Sequence, residues 1–511
     1  MSITLRRIAL VLALVMVIPM LFVGCGGKGD TKKDEDGWSL GDSGKAATPD
    51  NLPEDLDYQG YKFKILYRAG EWCDYLECNG NIGDETVNPI HRSVYERNRH
   101  VEARLNCEIK FVPTTTGDLN KGAKEVETIL EAEEYYDFFV LTNNLIVTRA
   151  KNHQLCDFND AEYVDYTQPW WWMDVTDELS FDGQTYNYMV GDMNLINFTK
   201  MSAFYFNFQL CDERLRKAPE YFYDLVENNR WTIEEVDRLT KNCYRDLNGD
   251  NTANSADSYA FPWTGSEVTA QFVWSTRIAD VLYERNSAGL VTLNIHGNRD
   301  VFTVAETLRD LLNGNPEILD YRTEPAGTFD GKIITEFASS KYVFLAQRLT
   351  AAVQPIMREM KDDYGILPYP VLEEGDDYIS FIQSSSSCVC IPLIAEKNIE
   401  MSGICIEALC SEAYRYTTDI FFEQSLKAKF TRDETDKERA MSMIDLIYET
   451  ADKSFLIEYD SKASGICGSV VSSIEATSFD LQSRLDARTG AEGAINSYIS
   501  ETLQLIQGYT K

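Results

Sequence analysis

Tyr61-Lys-Phe-Lys-Ile-Leu-Tyr-Arg68 is the stretch that decides the fold. Phe63, Ile65 and Tyr67 fall on one face at the two-residue period of a strand. Val94, Asn98, Val101 and Leu105 follow at helical spacing, and Glu108-Ile-Lys-Phe-Val112 reads as a second short strand. A second helical pattern runs through Val126, Ile129 and Leu130, and Tyr136-Asp-Phe-Phe-Val-Leu-Thr142 reads as a third strand. The order β-α-β-α-β predicts a mainly parallel sheet covered by helices on both faces, and such sheets bind ligands beyond the carboxyl ends of their strands. Arg68, Glu71 and Trp72, just past the first strand, and Asn143 and Asn144, just past the third, are therefore candidate site residues.

The middle of the chain changes character. Tyr186, Tyr188 and Val190 alternate after Asp182-Gly183, which predicts a hairpin leading to Gly191-Asp192. Trp231-Thr-Ile-Glu-Glu235 predicts a helix start, Thr232 capping it and Glu235 reaching back, with the helix ending near Tyr244. The strand-like stretches Tyr342 to Ala346 and Ser387 to Pro392 must pair somewhere, and a second lobe with crossovers to the first accommodates them.

At the start, Arg6 and Arg7 precede an apolar run from Ile8 to Val23, broken only by Pro19 and ending at Gly24-Cys25. Those are the three parts of a secretory signal peptide, and the sixteen-residue run is short of the roughly 20 residues that span a bilayer. Phe22-Val23-Gly24-Cys25 resembles the lipobox of bacterial lipoproteins, with Phe22 where Leu is preferred, which implies a lipidated Cys25 at the mature N-terminus. Two acyl chains make a stable anchor. The Gly, Lys, Asp, Ser and Thr that follow predict a flexible stalk, since so little apolar surface cannot repay the entropy of ordering. The expected location is extracytoplasmic, lipid-anchored on the outer face of the cell membrane.

A net charge of −34 makes nucleic acid a poor partner, because binding it needs clustered Lys and Arg. Beyond Cys25, eleven of the twelve cysteines remain, without a CxxC pair or a histidine at ligand spacing, so most are expected to be reduced and buried.

Several stretches resemble the extracellular solute-binding lipoproteins, family 1-like, that serve carbohydrate ABC importers in Gram-positive anaerobes. They are Val94-Tyr-Glu-Arg-Asn-Arg99 through Leu105-Asn106, Tyr136-Asp137-Phe138, Pro169-Trp170-Trp171, Tyr364-Gly-Ile-Leu-Pro-Tyr-Pro370 and Ser425-Leu-Lys-Ala-Lys-Phe-Thr-Arg-Asp433. The resemblance implies an α/β, two-lobed, periplasmic-binding-protein-like type II fold with crossovers between lobes, closing on its ligand by hinge motion. It divides the chain into signal peptide 1–24, lipidated Cys and stalk 25–55, first lobe 56–165, second lobe 166–325, a return to the first lobe over 326–395, and a helical part 396–511 completing the second. It departs from the family at Ser340-Lys341-Tyr342, where relatives often have Gly-Lys-Ala, and that puts the local cleft wall in question.

Sugars are held by aromatic faces against their C–H surfaces and by planar polar groups on their hydroxyls. Trp170, Trp171 and Trp172 cannot all face one core if they lie on a regular strand or helix, so at least one is expected to line a cleft. Trp72 and Trp263 are further aromatic candidates, and Asn143, Asn144, Asp192, Asn207 and Arg348 are hydrogen-bonding candidates. Ordinary burial is the competing reading for each.

Asp246-Leu-Asn248-Gly-Asp250-Asn-Thr252-Ala-Asn254-Ser-Ala-Asp257 spaces oxygen ligands like a calcium loop, so Asp246, Asn248, Asp250, Thr252 and Asp257 are candidate ligands of a structural calcium. Asn251 stands where Gly normally turns, and Asp257 where Glu closes the site; a solvated turn is the alternative. No histidine spacing, nucleophile elbow or Gly-rich phosphate loop indicates catalysis. The leading expectation is a non-enzymatic, monomeric, sugar- or oligosaccharide-binding lipoprotein that delivers its ligand to ABC permease subunits. A surface-anchored glycoside hydrolase and a noncatalytic sugar sensor or adhesin are the alternatives.

Overall fold

Phe63 and Ile65 are fully buried in β1 (Tyr61–Tyr67), which lies inside a four-stranded sheet of the computed structural model. Residues 48–508 are described, except 83–88, 144, 147–148, 150–151, 153, 324–328, 384–385 and 423–433. The stretch read as a signal peptide, Cys25, most of the stretch read as a stalk, Asn144 and the Ser425–Asp433 element therefore lie outside the described residues.

β1 pairs in parallel with β2 (Cys107–Pro113), from Tyr61 opposite Cys107 to Tyr67 opposite Pro113. On its other edge it pairs in parallel with β3 (Phe138–Thr142), Ile65 opposite Phe138. The connections are α1 (Pro89–Leu105), which buries Val94, Asn98, Val101 and Leu105, and α2 (Leu119–Glu131), capped by the Asp118 carboxylate accepting from Lys121 N–H at 2.9 Å. A parallel pair needs such a crossover, and each helix supplies an apolar face to one side of the sheet.

The second sheet is built on β4 (Ser202–Asn207), all six residues of which are buried. Fully buried backbone must find partners on both edges. They are β5 (Phe344–Arg348) and β6 (Tyr364–Leu367), each antiparallel to β4. Phe204 collects Trp231, Phe261, Phe272, Phe344 and Tyr369 at centroid distances of 5.5 to 6.1 Å. Gly365 in β6 lies so close to Phe206 that a Cβ would sit 2.2 Å from the ring, which explains glycine in Tyr-Gly-Ile-Leu-Pro-Tyr-Pro. α3 (Ile233–Thr240) starts on Thr232, whose hydroxyl accepts from Glu235 N–H at 3.2 Å, whereas the Glu235 carboxylate turns to Arg238 and Tyr221. The chain returns to the first sheet at β7 (Ser387–Cys390), antiparallel to β3 with Ser387 opposite Thr142. α4 (Ile399–Glu412) is buried without interruption from Ser402 to Glu412, as a helix enclosed by protein must be.

Two expectations are corrected. Stretch 326–395 contributes β5 and β6 to the second sheet, and only β7 returns to the first, because β4 takes both of those strands as its edge partners. Asp182-Gly183 turns no hairpin: Asp182 accepts from Gln184 and Thr185 N–H, and the segment beyond makes only single bridges, Met189 to Val389 and Gly191 to Trp171. No helix among the described residues is long and apolar enough to cross a membrane.

All eleven cysteines from Cys73 to Cys467 are buried and unbridged, and burial pushes the thiols of Cys73, Cys107, Cys156 and Cys243 up to about 12. Only thiolates react readily. These eleven should resist a thiol reagent in the native protein at mildly alkaline pH and all react in denaturant, as mass spectrometry of the labelled peptides would show; rapid native labelling of any one contradicts this.

Candidate functional site

β1 and β3 end side by side, Arg68 N–H donating to Val140 O at 3.2 Å. Beyond Tyr67 the chain swings through Gly70 at φ 145° into a helical turn, Glu71–Cys73. A wider turn follows, in which Asn79 N–H reaches back to Asp74 O at 2.8 Å. Such widened turns re-aim side chains and gather at functional sites. Here the turn carries Glu77 into the interior, 1% exposed, where its carboxylate accepts from Ser387 Oγ at 2.8 Å and Ile196 N–H at 3.2 Å.

These ends open on a cavity of about 440 Å³. Arg68, Trp72 and Glu77 line it from the first sheet's side, together with Thr142 at the end of β3. Lys200, just before β4, and Gln347 and Arg348, at the end of β5, face it from the second. Trp72 and Gln354 are also walls of an adjoining cavity of about 510 Å³, to which Glu71, Tyr75, His91, Arg358 and Phe421 contribute. Trp72 is 45% exposed, and it is the only tryptophan among the described residues that is not buried.

Arg348 is braced by Glu267 at 2.7 Å and donates to Gln383 Oε1 at 2.5 Å. Arg68 donates through Nε and Nη2 to Gly117 O at 3.0 and 2.9 Å. The Thr142 hydroxyl is buried without a hydrogen-bond partner among the described residues. Burial pushes the Glu77 carboxyl up to about 7, opposed by Ser387, Lys200, Ile196 N–H and Arg97. Burial also pushes Lys200 down to about 8, opposed by Glu77.

A carboxyl group raised on folding stabilises the fold while protonated in both states, and that contribution is lost as pH rises from the unfolded value toward the folded one. For Glu77 the window runs from 4.5 to about 7, and full ionisation costs on the order of 3 kcal/mol. Urea midpoints should therefore fall between pH 5 and pH 8, and Glu77→Gln should flatten part of that fall; an unchanged pH dependence in the variant would show that Glu77 titrates normally.

Of the sequence candidates, Arg68, Trp72 and Arg348 line the first cavity and Glu71 the second. The expectation that one of Trp170, Trp171 and Trp172 reaches a cleft is corrected: they are 0%, 5% and 8% exposed and line neither cavity. The segment is a turn entering a short helix at Met173, so the regular periods do not apply, and each indole finds a buried carboxylate. Trp170 and Trp171 donate to the two oxygens of Glu407 at 2.9 and 2.8 Å, and Trp172 donates to Asp192 at 2.7 Å. That interaction and the Thr418 hydroxyl at 2.9 Å occupy Asp192 in the core. Trp263 is buried, donates to Thr269 and is covered by the Arg322 guanidinium 3.6 Å from its ring. Asn207 is likewise interior, accepting from Leu210 N–H and donating to Asp362. Asn143 is buried with its N–H on Ser386 O, off both cavities.

Sequence reasoning missed Glu77, Lys200, Gln347 and Gln354. The available signals were a carboxylate among apolar neighbours in Tyr75-Leu-Glu-Cys78 and a lone lysine in the run Ile196 to Phe206.

In the Asp246–Asp257 loop, Asn251 adopts φ 57°, the left-handed geometry expected at its position. Asp246 accepts from Gly249 and Asn251 N–H at 2.7 and 2.9 Å, and Asp257 from Leu247 and Asn254 N–H and the Tyr244 hydroxyl. Among the described residues no three His, Cys, Asp or Glu converge on a common metal position.

No family model and no curated protein matches the chain. Solved structures share its fold. The sugar-binding protein MalE from Xanthomonas citri aligns with a TM-score of 0.54 at 11% identity over 87% of this chain and 99% of its own. UgpB from Mycobacterium tuberculosis, in complex with glycerophosphocholine, aligns at 0.51 with 13% identity over 80% and 96%. The ABC substrate-binding protein Lmo0181 from Listeria monocytogenes, in complex with cycloalternan, aligns at 0.50 with 9% identity over 86% and 99%. The chain thus has the mixed helix and strand fold of ABC solute-binding proteins.

Proposed function

We propose that the protein is an extracytoplasmic substrate-binding lipoprotein that captures an oligosaccharide between two lobes and presents it to the permease of an ABC importer. Trp72 is the observation that carries this reading. It is an exposed indole beyond the carboxyl ends of the parallel strands β1 and β3 and a wall of two adjoining cavities, suited to sugar rings on a chain longer than one unit. The solved structures of the same fold include a sugar-binding protein and one bound to cycloalternan, which supports a carbohydrate ligand. Each sheet forms the centre of one lobe, and the crossings near Lys200 and Gln383 act as the hinge. A glycosidase flanks the scissile bond with two carboxylates; among the described residues Glu77 lines the first cavity and Glu71 and Glu359 the second, so recovery of the ligand decides between binding and hydrolysis.

Calorimetry against a panel of mono- and oligosaccharides, with recovery of the ligand, tests the reading. Binding of an oligosaccharide that is recovered intact supports it; released shorter products would make the protein a hydrolase. Lipidation at Cys25 predicts incorporation of a tagged fatty acid that Cys25→Ala abolishes. Calcium in the Asp246–Asp257 loop rests on ligand spacing and the Asn251 geometry and requires the acidic side chains to turn inward. Added calcium should then raise the Tm of wild type but not of Asp246→Ala, and an indifferent wild type makes the loop a turn.

A further inference from the structure

Acidic residues outnumber basic ones 82 to 48 in this chain, yet among the described residues Arg68, Lys200 and Arg348 line the first cavity against the single carboxylate of Glu77. The local balance is the reverse of the overall one. Glu267 neutralises Arg348 at 2.7 Å, and Lys200 and Glu77 stand close enough to oppose each other's burial. Arg68 differs. Its Nε and Nη2 are held by the carbonyl of Gly117, a neutral acceptor, and it has no carboxylate partner among the described residues. The clamp fixes the guanidinium without cancelling its charge. The adjoining cavity does not share this excess, since Glu71 and Glu359 outweigh Arg358 there.

Resting on the carbohydrate reading above, we propose that the first cavity selects a singly charged acidic sugar unit, its anionic group on Arg68 and its ring against Trp72. Arg68 and Trp72 lie on the same turn beyond β1 and line the same space. A charge-assisted hydrogen bond in a partly enclosed site is stronger than a neutral one, and a local field opposite in sign to the rest of the surface attracts and orients an anion. An excess of one charge fits a carboxylate, as in a uronate, or a sulfate ester. A phosphate monoester brings close to two charges near neutral pH.

The test is calorimetry with three short oligosaccharides of equal length: a neutral one, its uronate counterpart and its sulfated counterpart, each at low and high salt. One acidic member should bind about tenfold or more tightly than the neutral one, by a margin that narrows with salt, and which member does so identifies the anionic group. Arg68→Gln should bring the ratio close to one, and Arg68→Lys should keep part of it. Neutral binding equal to or tighter than both acidic forms overturns the proposal, as does an acidic preference that is independent of salt or survives intact in Arg68→Gln. If no saccharide of any kind binds, the carbohydrate reading falls, and this inference with it.

Discussion

Glu407→Ala should lower the unfolding free energy by about 3 to 5 kcal/mol, the combined cost of two buried donors left without an acceptor and of the cavity opened beside them. Both oxygens of Glu407 accept indole protons, from Trp170 at 2.9 Å and Trp171 at 2.8 Å, inside α4 where every neighbour from Ser402 to Glu412 is buried. Alanine leaves two indole N–H groups in the core without their acceptor, each costing about 1 to 3 kcal/mol, and opens a void where the side chain was. Burial pushes the Glu407 carboxyl up to about 7, the two indoles pulling against it, so the wild-type arrangement is itself held at some expense above neutral pH. Glu407→Gln separates these effects. Its amide oxygen keeps one indole satisfied while its NH₂ faces the other, so it should lose less than alanine and lose the pH dependence that ionisation brings. Urea unfolding read by tryptophan fluorescence, with an unchanged slope, is the measurement. A midpoint for Glu407→Ala within experimental error of wild type would mean that the tryptophans hold their places by packing alone.

The same cluster shows where the sequence was readable. β1, β2, β3 and the helices between them were legible because each carries its own period, and a parallel pair with a helical crossover follows from that order alone. Arg68, Trp72 and Arg348 were legible because they sit one step beyond or at the end of recognisable strands, where such sheets bind ligands. Trp170, Trp171 and Trp172 were misread because the period argument assumes a regular element, and because the carboxylate that receives the first two indoles lies more than two hundred residues away on α4. Glu77 and Lys200 were invisible for a related reason. Each is an ordinary charged residue in its own segment, and they become a buried site only when the turn after β1, the approach to β4 and the start of β7 meet. β5 and β6 could be read as strands, but a strand's sequence does not specify which edge of which sheet it joins.

Trp72→Ala should weaken the tightest oligosaccharide found by about thirtyfold or more, the loss of roughly 2 kcal/mol that marks a tryptophan at the centre of a binding surface. Folding stability should change by no more than about 0.5 kcal/mol, because the side chain is 45% exposed and its removal opens no void in the core. This pairing of a large affinity loss with a small stability change is what distinguishes a binding platform from a packing residue. Trp72→Phe keeps a smaller aromatic face and should recover part of the affinity. The wall shared by two cavities adds a prediction about length: if rings pack on both sides of Trp72, the penalty for alanine grows as the ligand extends from the first cavity into the second. A monosaccharide would lose only the first contact. Fluorescence gives an independent reading, since every other described tryptophan is buried. Trp38 lies outside the described residues; in a Trp38→Phe background, iodide should quench chiefly Trp72, and bound oligosaccharide should protect it. Unaltered affinity in Trp72→Ala, or quenching that ligand leaves unchanged, would place the sugar elsewhere and remove the observation on which the proposed function stands.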